Sequence, residues 1–175
     1  VKGGIATSFG CPFEGDVPVA QVVRIARRYA ELGITRIGLA DTTGMAQPKH
    51  IEAGVRAVRA ALPEADLGLH LHNTRGLGLV NAHVGLQAGI RRLDASVAGL
   101  GGCPFAPGAT GNICTDDLVF MLEGLDLATG VDLDRLLAVA RRVEEVIGRE
   151  LPGQVMKAGT RAALHPLDAV RTAAG

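Results

Sequence analysis

The sequence predicts an α/β fold in which parallel strands are joined by crossover helices. Four short runs of β-forming residues begin about 30 residues apart, the usual length of one strand–helix unit, at Ile5–Phe9, Arg36–Ala40, Leu67–Leu71 and Leu93–Val97. Each run is followed by a loop with Gly, Pro or Asn and then by residues with helical periodicity. Such repeats are typical of parallel sheets, because consecutive parallel strands need a long connection between them.

Apolar residues three to four positions apart predict the helices that follow these strands. The first extends from about Pro18 to Leu32, the second from about Pro48 to Leu62, and the third from about Leu77 to Ala88. A longer helix extends from about Asp132 to Leu151 and ends before Pro152.

These elements leave two arrangements open: an open, doubly wound sheet or a (β/α) barrel. Eight units of roughly 30 residues give about 250 residues, the usual size of a barrel, and this chain of 175 residues has about half that number of units. The first strand is not followed by a Gly-x-Gly-x-x-Gly loop, so a dinucleotide-binding sheet has no direct support.

Composition excludes several classes of protein. Hydrophobic residues make up 47% of the chain, which excludes a disordered chain. Lys and Arg number 18, as do Asp and Glu, so there is no basic surplus for nucleic acid or an anionic membrane. No apolar run approaches the roughly 18 residues of a membrane span. Three cysteines favour a reducing compartment over a disulfide framework, so we expect the bacterial cytoplasm, or the mitochondrial matrix if the source is eukaryotic.

Residues capable of chemistry lie at the predicted carboxyl ends of the strands. Asp41 closes the second strand, His70 and His72 end the third, and Cys103 and Asn112 lie in the loop after the fourth. Parallel α/β folds place their functional sites at this edge of the sheet. We therefore expect these side chains to face one site.

The His-x-His pair predicts a metal site. Side chains alternate along a strand, so His70 and His72 project from the same face and can share one ion. Asp41 and Asn112 offer oxygen ligands nearby. A nitrogen and oxygen set without thiolate suits Mg²⁺, Mn²⁺ or Zn²⁺.

The loop at 99–112 is rich in Gly and contains two Pro. A plain surface connection is one interpretation. A thiol between Gly-Gly and Pro instead favours a loop that approaches a ligand closely, with Cys103 as an acid or base of tuned pKa. Cys11 is interpreted as a packed or loop thiol and Cys114 as structural. Arg75 could equally bind an anionic substrate or be solvated at the surface. The three isolated histidines are expected to bind no metal: His50, His83 and His165.

The segment Ser-Val-Ala-Gly-Leu-Gly-Gly-Cys-Pro-Phe at 96–105 closely resembles the signature of 3-hydroxy-3-methylglutaryl-CoA (HMG-CoA) lyases. The resemblance covers most of the chain, since it extends to residues 10–15, 41–42, 70–72, 111–112 and 117–125. It implies a TIM barrel in which residues 1–175 form about the last four βα units and the carboxyl-terminal helices. The amino-terminal half would be absent, and with it the family's first-strand aspartate ligand and arginine and its second-strand glutamate.

The resemblance also implies an activity, the cleavage of HMG-CoA to acetoacetate and acetyl-CoA in leucine degradation and ketone-body metabolism. His70, His72 and Asn112 would bind the metal, Mg²⁺ or Mn²⁺. Cys103, Asp41 and His70 would be the catalytic residues, with Cys103 or a neighbouring histidine protonating the product enolate. The substrate is a small acyl-CoA, and a homodimer is expected for the complete protein.

Two departures from the lyase pattern keep alternatives open. Asn73 stands where lyases usually have Asp, and Asp116 where they usually have Glu. The His-x-His-Asn form occurs in related isopropylmalate and homocitrate synthases, but the cysteine loop favours the lyase. The alternatives are a Claisen-condensing acyl-CoA synthase of the same fold and a non-catalytic fragment or split subunit.

We further expect the inner face of the four strands to be apolar and the chain alone to be inactive.

Overall fold

The computed structural model describes residues 1–102 and 110–164. Four parallel strands form one sheet in chain order, with β1 at Lys2–Ile5, β2 at Arg36–Asp41, β3 at Asp66–Leu71 and β4 at Arg92–Asp94. The predicted parallel α/β fold is therefore confirmed.

Three helices connect the strands and pack on one face of the sheet: α1 at Val19–Glu31, α2 at Pro48–Ala61 and α3 at Gly78–Gln87. After β4 come a short 3₁₀ turn and three further helices, namely Val97–Gly99, then α4 at Thr115–Glu123, α5 at Leu133–Ile147 and α6 at Val155–Ala158. Among the described residues, no helix combines the length and the apolar character needed to cross a membrane.

Several elements differ from the sequence-based boundaries. β1 ends at Ile5, where its predicted counterpart begins, because the chain turns immediately afterwards. Thr7 has a positive φ of 50°, and the Ser8 hydroxyl donates to the Ile5 carbonyl at 2.7 Å. Helix α4 was not predicted, because Asp116 and Asp117 are buried on its inner face and interrupt the apolar periodicity.

The core lies between the sheet and its helices. Alternate residues of β2 and β3 are buried there, among them Ile37, Leu39 and Leu69. Gly85 of α3 permits close packing on the sheet, since a Cβ at that position would lie 2.4 Å from Cδ1 of Leu69. This contact brings α3 down onto the centre of β3.

The opposite face of the sheet is charged, so the expectation of an apolar inner face was wrong. Asp66 pairs with two arginines from neighbouring strands, Arg36 at 3.2 Å and Arg92 at 2.7 Å. Lys2 pairs with Asp94 at 2.5 Å. The physical reason is that glycines alternate with charged residues on this face, so long polar side chains can lie across the sheet.

Removing core volume at the centre of β3 should destabilise the fold. Leu69 is 1% exposed, so Leu69→Ala should lower the free energy of unfolding by about 2–5 kcal/mol, the range for buried leucines. Leu125→Ala is the matched control, because Leu125 is 40% exposed and exposed sites usually change stability by less than about 0.5 kcal/mol. Denaturant unfolding followed by circular dichroism measures both, and equal losses would contradict the assigned core.

Candidate active site

The carboxyl edge of the sheet brings the loop after β4 alongside the end of β3. The backbone N–H of Ile113 donates to the Leu71 carbonyl at 3.0 Å, and the N–H of Asn73 donates to the Gly111 carbonyl at 3.2 Å. His72 and Asn112 thereby face each other in an isolated backbone bridge. Two residues that are 40 positions apart in sequence therefore share one edge of the sheet.

The two histidines present nitrogen atoms to each other. Nε2 of His70 lies 3.2 Å from Nε2 of His72. Two ligands bound to one ion at about 2.0–2.1 Å lie roughly 3 Å apart, so the observed separation fits a shared cation. His72 is buried, whereas His70 is partly exposed.

A neighbouring carbonyl sets the tautomer of His72. Its Nδ1 lies 3.2 Å from the backbone oxygen of Thr110. Because a carbonyl oxygen only accepts hydrogen bonds, this contact requires the proton on Nδ1. The unprotonated Nε2 of His72 then faces Nε2 of His70, from which it can accept a hydrogen bond when no cation is bound.

Asn112 contributes an oxygen without a partner. Its Nδ2 donates to the Leu100 carbonyl at 2.8 Å, which holds the side-chain amide in place. Within the described residues, the buried Oδ1 has no hydrogen-bond partner. Gly101 makes this arrangement possible: its φ is +117°, and a Cβ there would lie 2.5 Å from Asn112 Nδ2. An orphaned amide oxygen beside two imidazoles fits a divalent cation, since such ions accept oxygen and nitrogen ligands.

Asp41 is the buried carboxyl group of the same edge, with 1% exposure. Oδ1 accepts the backbone N–H groups of Met45 at 2.8 Å and Ala46 at 3.1 Å. Oδ2 is buried and finds no partner in the described part of the chain. Burial raises the pKa of Asp41, although the two backbone bonds and the nearby His72 and Arg75 oppose the rise. This carboxyl group is therefore suited to holding and exchanging a proton.

Arg75 has a role that sequence analysis did not anticipate. Its Nη1 donates to the carbonyls of Thr43 at 3.2 Å and Gly44 at 2.9 Å. The guanidinium thus joins the loop after β3 to the loop after β2. Asn73 also has a local role, because its Oδ1 accepts the N–H of Gly78 at 2.9 Å where α3 begins.

The cysteines fall into different environments. Cys103 lies outside the described residues, as do the neighbouring positions 104–109 and His165. Cys11 is partly exposed in a tight turn closed by backbone bonds to Gly15. Cys114 is buried, and its thiol donates to Asp116 Oδ1 at 2.9 Å. Burial and this bond raise the pKa of the Cys114 thiol well above its usual value, so the thiol is neutral.

Cys114, Asp116 and Asp117 form a second cluster, with possible ligand atoms within 4.8 Å of one another. Backbone bonds already engage both carboxyl groups. Asp116 Oδ1 accepts the N–H of Ala98 at 2.9 Å, and Asp117 Oδ1 accepts the N–H of Val155 at 2.7 Å. With a neutral thiol as the third member, the cluster is best interpreted as a junction of α4, α6 and the turn after β4.

Known proteins resemble this chain along most of its length. Residues 2–143 match the family described as HMGL-like. A hydroxymethylglutaryl-CoA lyase of Bacillus subtilis is 45% identical over 150 residues, which cover 86% of this chain and 50% of that protein. An (R)-citramalyl-CoA lyase of Chloroflexus aurantiacus is 46% identical over 155 residues, covering 89% and 49% respectively. The chain thus spans about half the length of the relatives it matches.

Solved structures extend the likeness to the fold. An HMG-CoA lyase of Acinetobacter baumannii, in complex with coenzyme A and 3-methylmalate, superposes with a TM-score of 0.91 at 49% identity, over 95% of this chain and 54% of that one. The carboxyl transferase domain of Rhizobium etli pyruvate carboxylase, at 19% identity and a TM-score of 0.68, shares the fold alone. These likenesses confirm that the βα units are those of a TIM barrel, and the family match over most of its length shows that the chain belongs to the HMGL-like family.

Proposed function

We propose that this chain is part of a divalent-metal-dependent lyase that cleaves HMG-CoA to acetoacetate and acetyl-CoA. The observation that carries the proposal is the convergence of His70 Nε2 and His72 Nε2, 3.2 Å apart, beside Asn112, whose Oδ1 has no partner among the described residues. The 38–49% identity to HMG-CoA lyases supports the choice of substrate. The small-molecule partner is then an acyl-CoA, as the coenzyme A bound by the Acinetobacter enzyme suggests.

Cleavage of (R)-citramalyl-CoA is the second candidate. The Chloroflexus lyase named for that substrate is 46% identical to this chain, as close as the HMG-CoA lyases. Both reactions are carbon–carbon cleavages of an acyl-CoA. They differ in the group that the site must accommodate beside the reacting carbon.

Residues 1–175 form the carboxyl-terminal half of the barrel in this proposal. The charged face of the sheet is uncovered among the described residues, and β1 and β4 have unpaired outer edges. A closed barrel removes such edges and encloses such a face. The homodimer and the cytoplasmic or mitochondrial location implied by the resemblance remain predictions.

His70, His72 and Asn112 would hold the metal, for which Mg²⁺ or Mn²⁺ suits the mixture of nitrogen and oxygen ligands. A bound ion supplies Lewis acidity toward the oxygens of the substrate. Nε2 of His72 is free for this role because Thr110 holds the proton on Nδ1. Asn112 is preorganised by its bond to Leu100, which leaves Oδ1 open.

Proton transfer falls to Asp41 and Cys103. Asp41 Oδ2 accepts the proton of the tertiary hydroxyl, since it is buried and its hydrogen-bonding capacity is unused within the described structure. The C2–C3 bond then breaks in a retro-Claisen step, and the acetyl-CoA enolate takes a proton from Cys103. His70 is less suited to that donation, because burial and the nearby His72 lower its pKa. Its Nε2 is better used as a ligand.

Loss of either histidine should weaken metal binding. In the complete enzyme, His70→Ala and His72→Ala should each raise the Kd for Mn²⁺ at least about tenfold, because a ligand is at least as important as the outer partners whose loss costs 10- to 100-fold. Isothermal titration calorimetry measures the change. His83→Ala is the matched control, since His83 lies on α3, away from the strand ends. Unchanged affinity in both site variants would contradict the metal assignment.

The cysteines should differ in their importance for turnover. In the complete enzyme, Cys103→Ala should lower kcat about a hundredfold, the lower end for proton-transfer groups. Cys114→Ala should keep near-normal turnover, because the Cys114 thiol is buried and donates its hydrogen bond to Asp116. Acetoacetate formation from HMG-CoA is the readout. The reverse ranking of the two variants would overturn the assignment.

The 175-residue chain by itself should be inactive. It would lack the first-strand charged groups that the family resemblance implies. The loss of one contact to the transition state lowers kcat about a hundred- to a thousandfold. Co-expression with the amino-terminal half of the Bacillus subtilis lyase should restore activity, with a higher kcat/KM for HMG-CoA than for (R)-citramalyl-CoA.

Two outcomes would contradict this scheme in different ways. Full turnover by the chain alone would show that the chemistry does not need a second half-barrel. A preference of the restored enzyme for (R)-citramalyl-CoA would replace the first candidate substrate with the second.

A further inference from the structure

Asp94 stands next to the metal-site histidines without belonging to the set of proposed ligands. It is the last residue of β4, and its Cα is paired in register with that of His70. Asp94 Oδ2 lies 3.8 Å from Nδ1 of His70. The carboxylate therefore lies on the Nδ1 side of the imidazole ring, whereas Nε2 faces His72.

Lys2 holds this carboxylate from the other edge of the sheet. Lys2 lies on β1, which two strands separate from β4, yet its Nζ reaches Asp94 Oδ2 at 2.5 Å. Gly38 of β2 leaves room for the crossing, because a Cβ there would lie 3.1 Å from Lys2 Cε, which is a tight contact. The lysine stem therefore passes over a position without a side chain.

The tautomer of His70 decides whether its Nε2 can bind a cation. Thr110 keeps the proton of His72 on Nδ1, so a lone pair of His72 Nε2 faces His70. For both histidines to ligate one ion, His70 must also carry its proton on Nδ1. A negative charge 3.8 Å from Nδ1 favours the proton on that nitrogen.

Metal-binding histidines in general present their second nitrogen to a carboxylate or carbonyl, which fixes the tautomer and the ring orientation. His72 has the carbonyl of Thr110 in this role. Asp94 lies on the corresponding side of His70, at 3.8 Å, which is an electrostatic contact longer than a hydrogen bond. Burial and the nearby His72 lower the pKa of His70, as does Lys2, whereas the charge of Asp94 acts in the opposite direction.

We propose that Asp94, held by Lys2, is a positioning residue that favours the proton of His70 on Nδ1 and so makes Nε2 available for a divalent cation. This inference rests on the metal site of the proposed function and adds a residue to it. Asp66 is not part of the arrangement, because it pairs with Arg36 and Arg92 in a separate network on the same face.

The first test compares the metal-free wild-type protein with Asp94→Asn. Long-range ¹⁵N–¹H correlation spectra of the imidazole rings report which nitrogen carries the proton. Without a cation, the unprotonated Nε2 of His72, 3.2 Å away, competes by accepting a hydrogen bond from Nε2–H of His70. We therefore expect both tautomers of His70 in the wild type, with a smaller Nδ1–H fraction in Asp94→Asn. An unchanged fraction in Asp94→Asn overturns the proposal, as does a wild-type His70 found wholly in the Nε2–H form, which is decisive even where Asp94→Asn fails to fold.

The second test compares Mn²⁺ affinity by calorimetry in matched charge-neutralising variants. Asp94→Asn should raise the Kd about tenfold, the lower range for loss of an outer partner, while Asp66→Asn should stay within about twofold of wild type. Equal affinities in these two variants, with a weakened His70→Ala, overturn the role of Asp94 and leave the metal site standing. Unchanged affinity in His70→Ala removes the metal site itself and the positioning role with it.

Discussion

The candidate site depends on one backbone interaction, the pairing of residues 111–113 with the chain that leaves β3. Two hydrogen bonds, from Ile113 to Leu71 and from Asn73 to Gly111, extend the sheet beyond the end of the strand. This pairing places Asn112 opposite His72 and brings the Thr110 carbonyl to the imidazole. Without it, the histidines would end a strand with no oxygen donor from the glycine-rich loop beside them.

Small residues determine how closely groups can approach one another in this fold. Gly101 leaves space for the amide of Asn112, and Gly38 leaves space for the stem of Lys2. The charged inner face of the sheet also depends on small residues, because glycines alternate there with lysine, arginine and aspartate. A face built in this way holds ion pairs across strands and is suited to lining the inside of a barrel.

The site also retains polar atoms at a cost in stability. Asp41 Oδ2 and Asn112 Oδ1 are buried without partners among the described residues, and such a group typically costs about 1–3 kcal/mol. Buried polar atoms are normally paired, and these two lie at the same edge of the sheet as the histidine pair, which fits a site prepared for a ligand. Their neighbouring atoms are held by hydrogen bonds to the backbone, which means that little reorganisation is needed when a ligand binds.

The sequence by itself determined the repeating strand–helix units, the residues at the strand ends and the likeness to a lyase family. These features depend on local periodicity and on short motifs, which are visible without coordinates. Helix α4 could not be predicted in the same way, because Asp116 and Asp117 are buried on its inner face through bonds to residues far along the chain.

Only the tertiary structure decided which groups meet. The reach of Lys2 to Asp94 across two strands, the carbonyl that sets the tautomer of His72, and the link from Arg75 to the loop after β2 all join residues more than 30 positions apart. No local pattern encodes them, since they arise from strand register, strand order and the space left by individual glycines. Side-chain alternation put His70 and His72 on one face, whereas packing between distant segments turned that face into a candidate metal site.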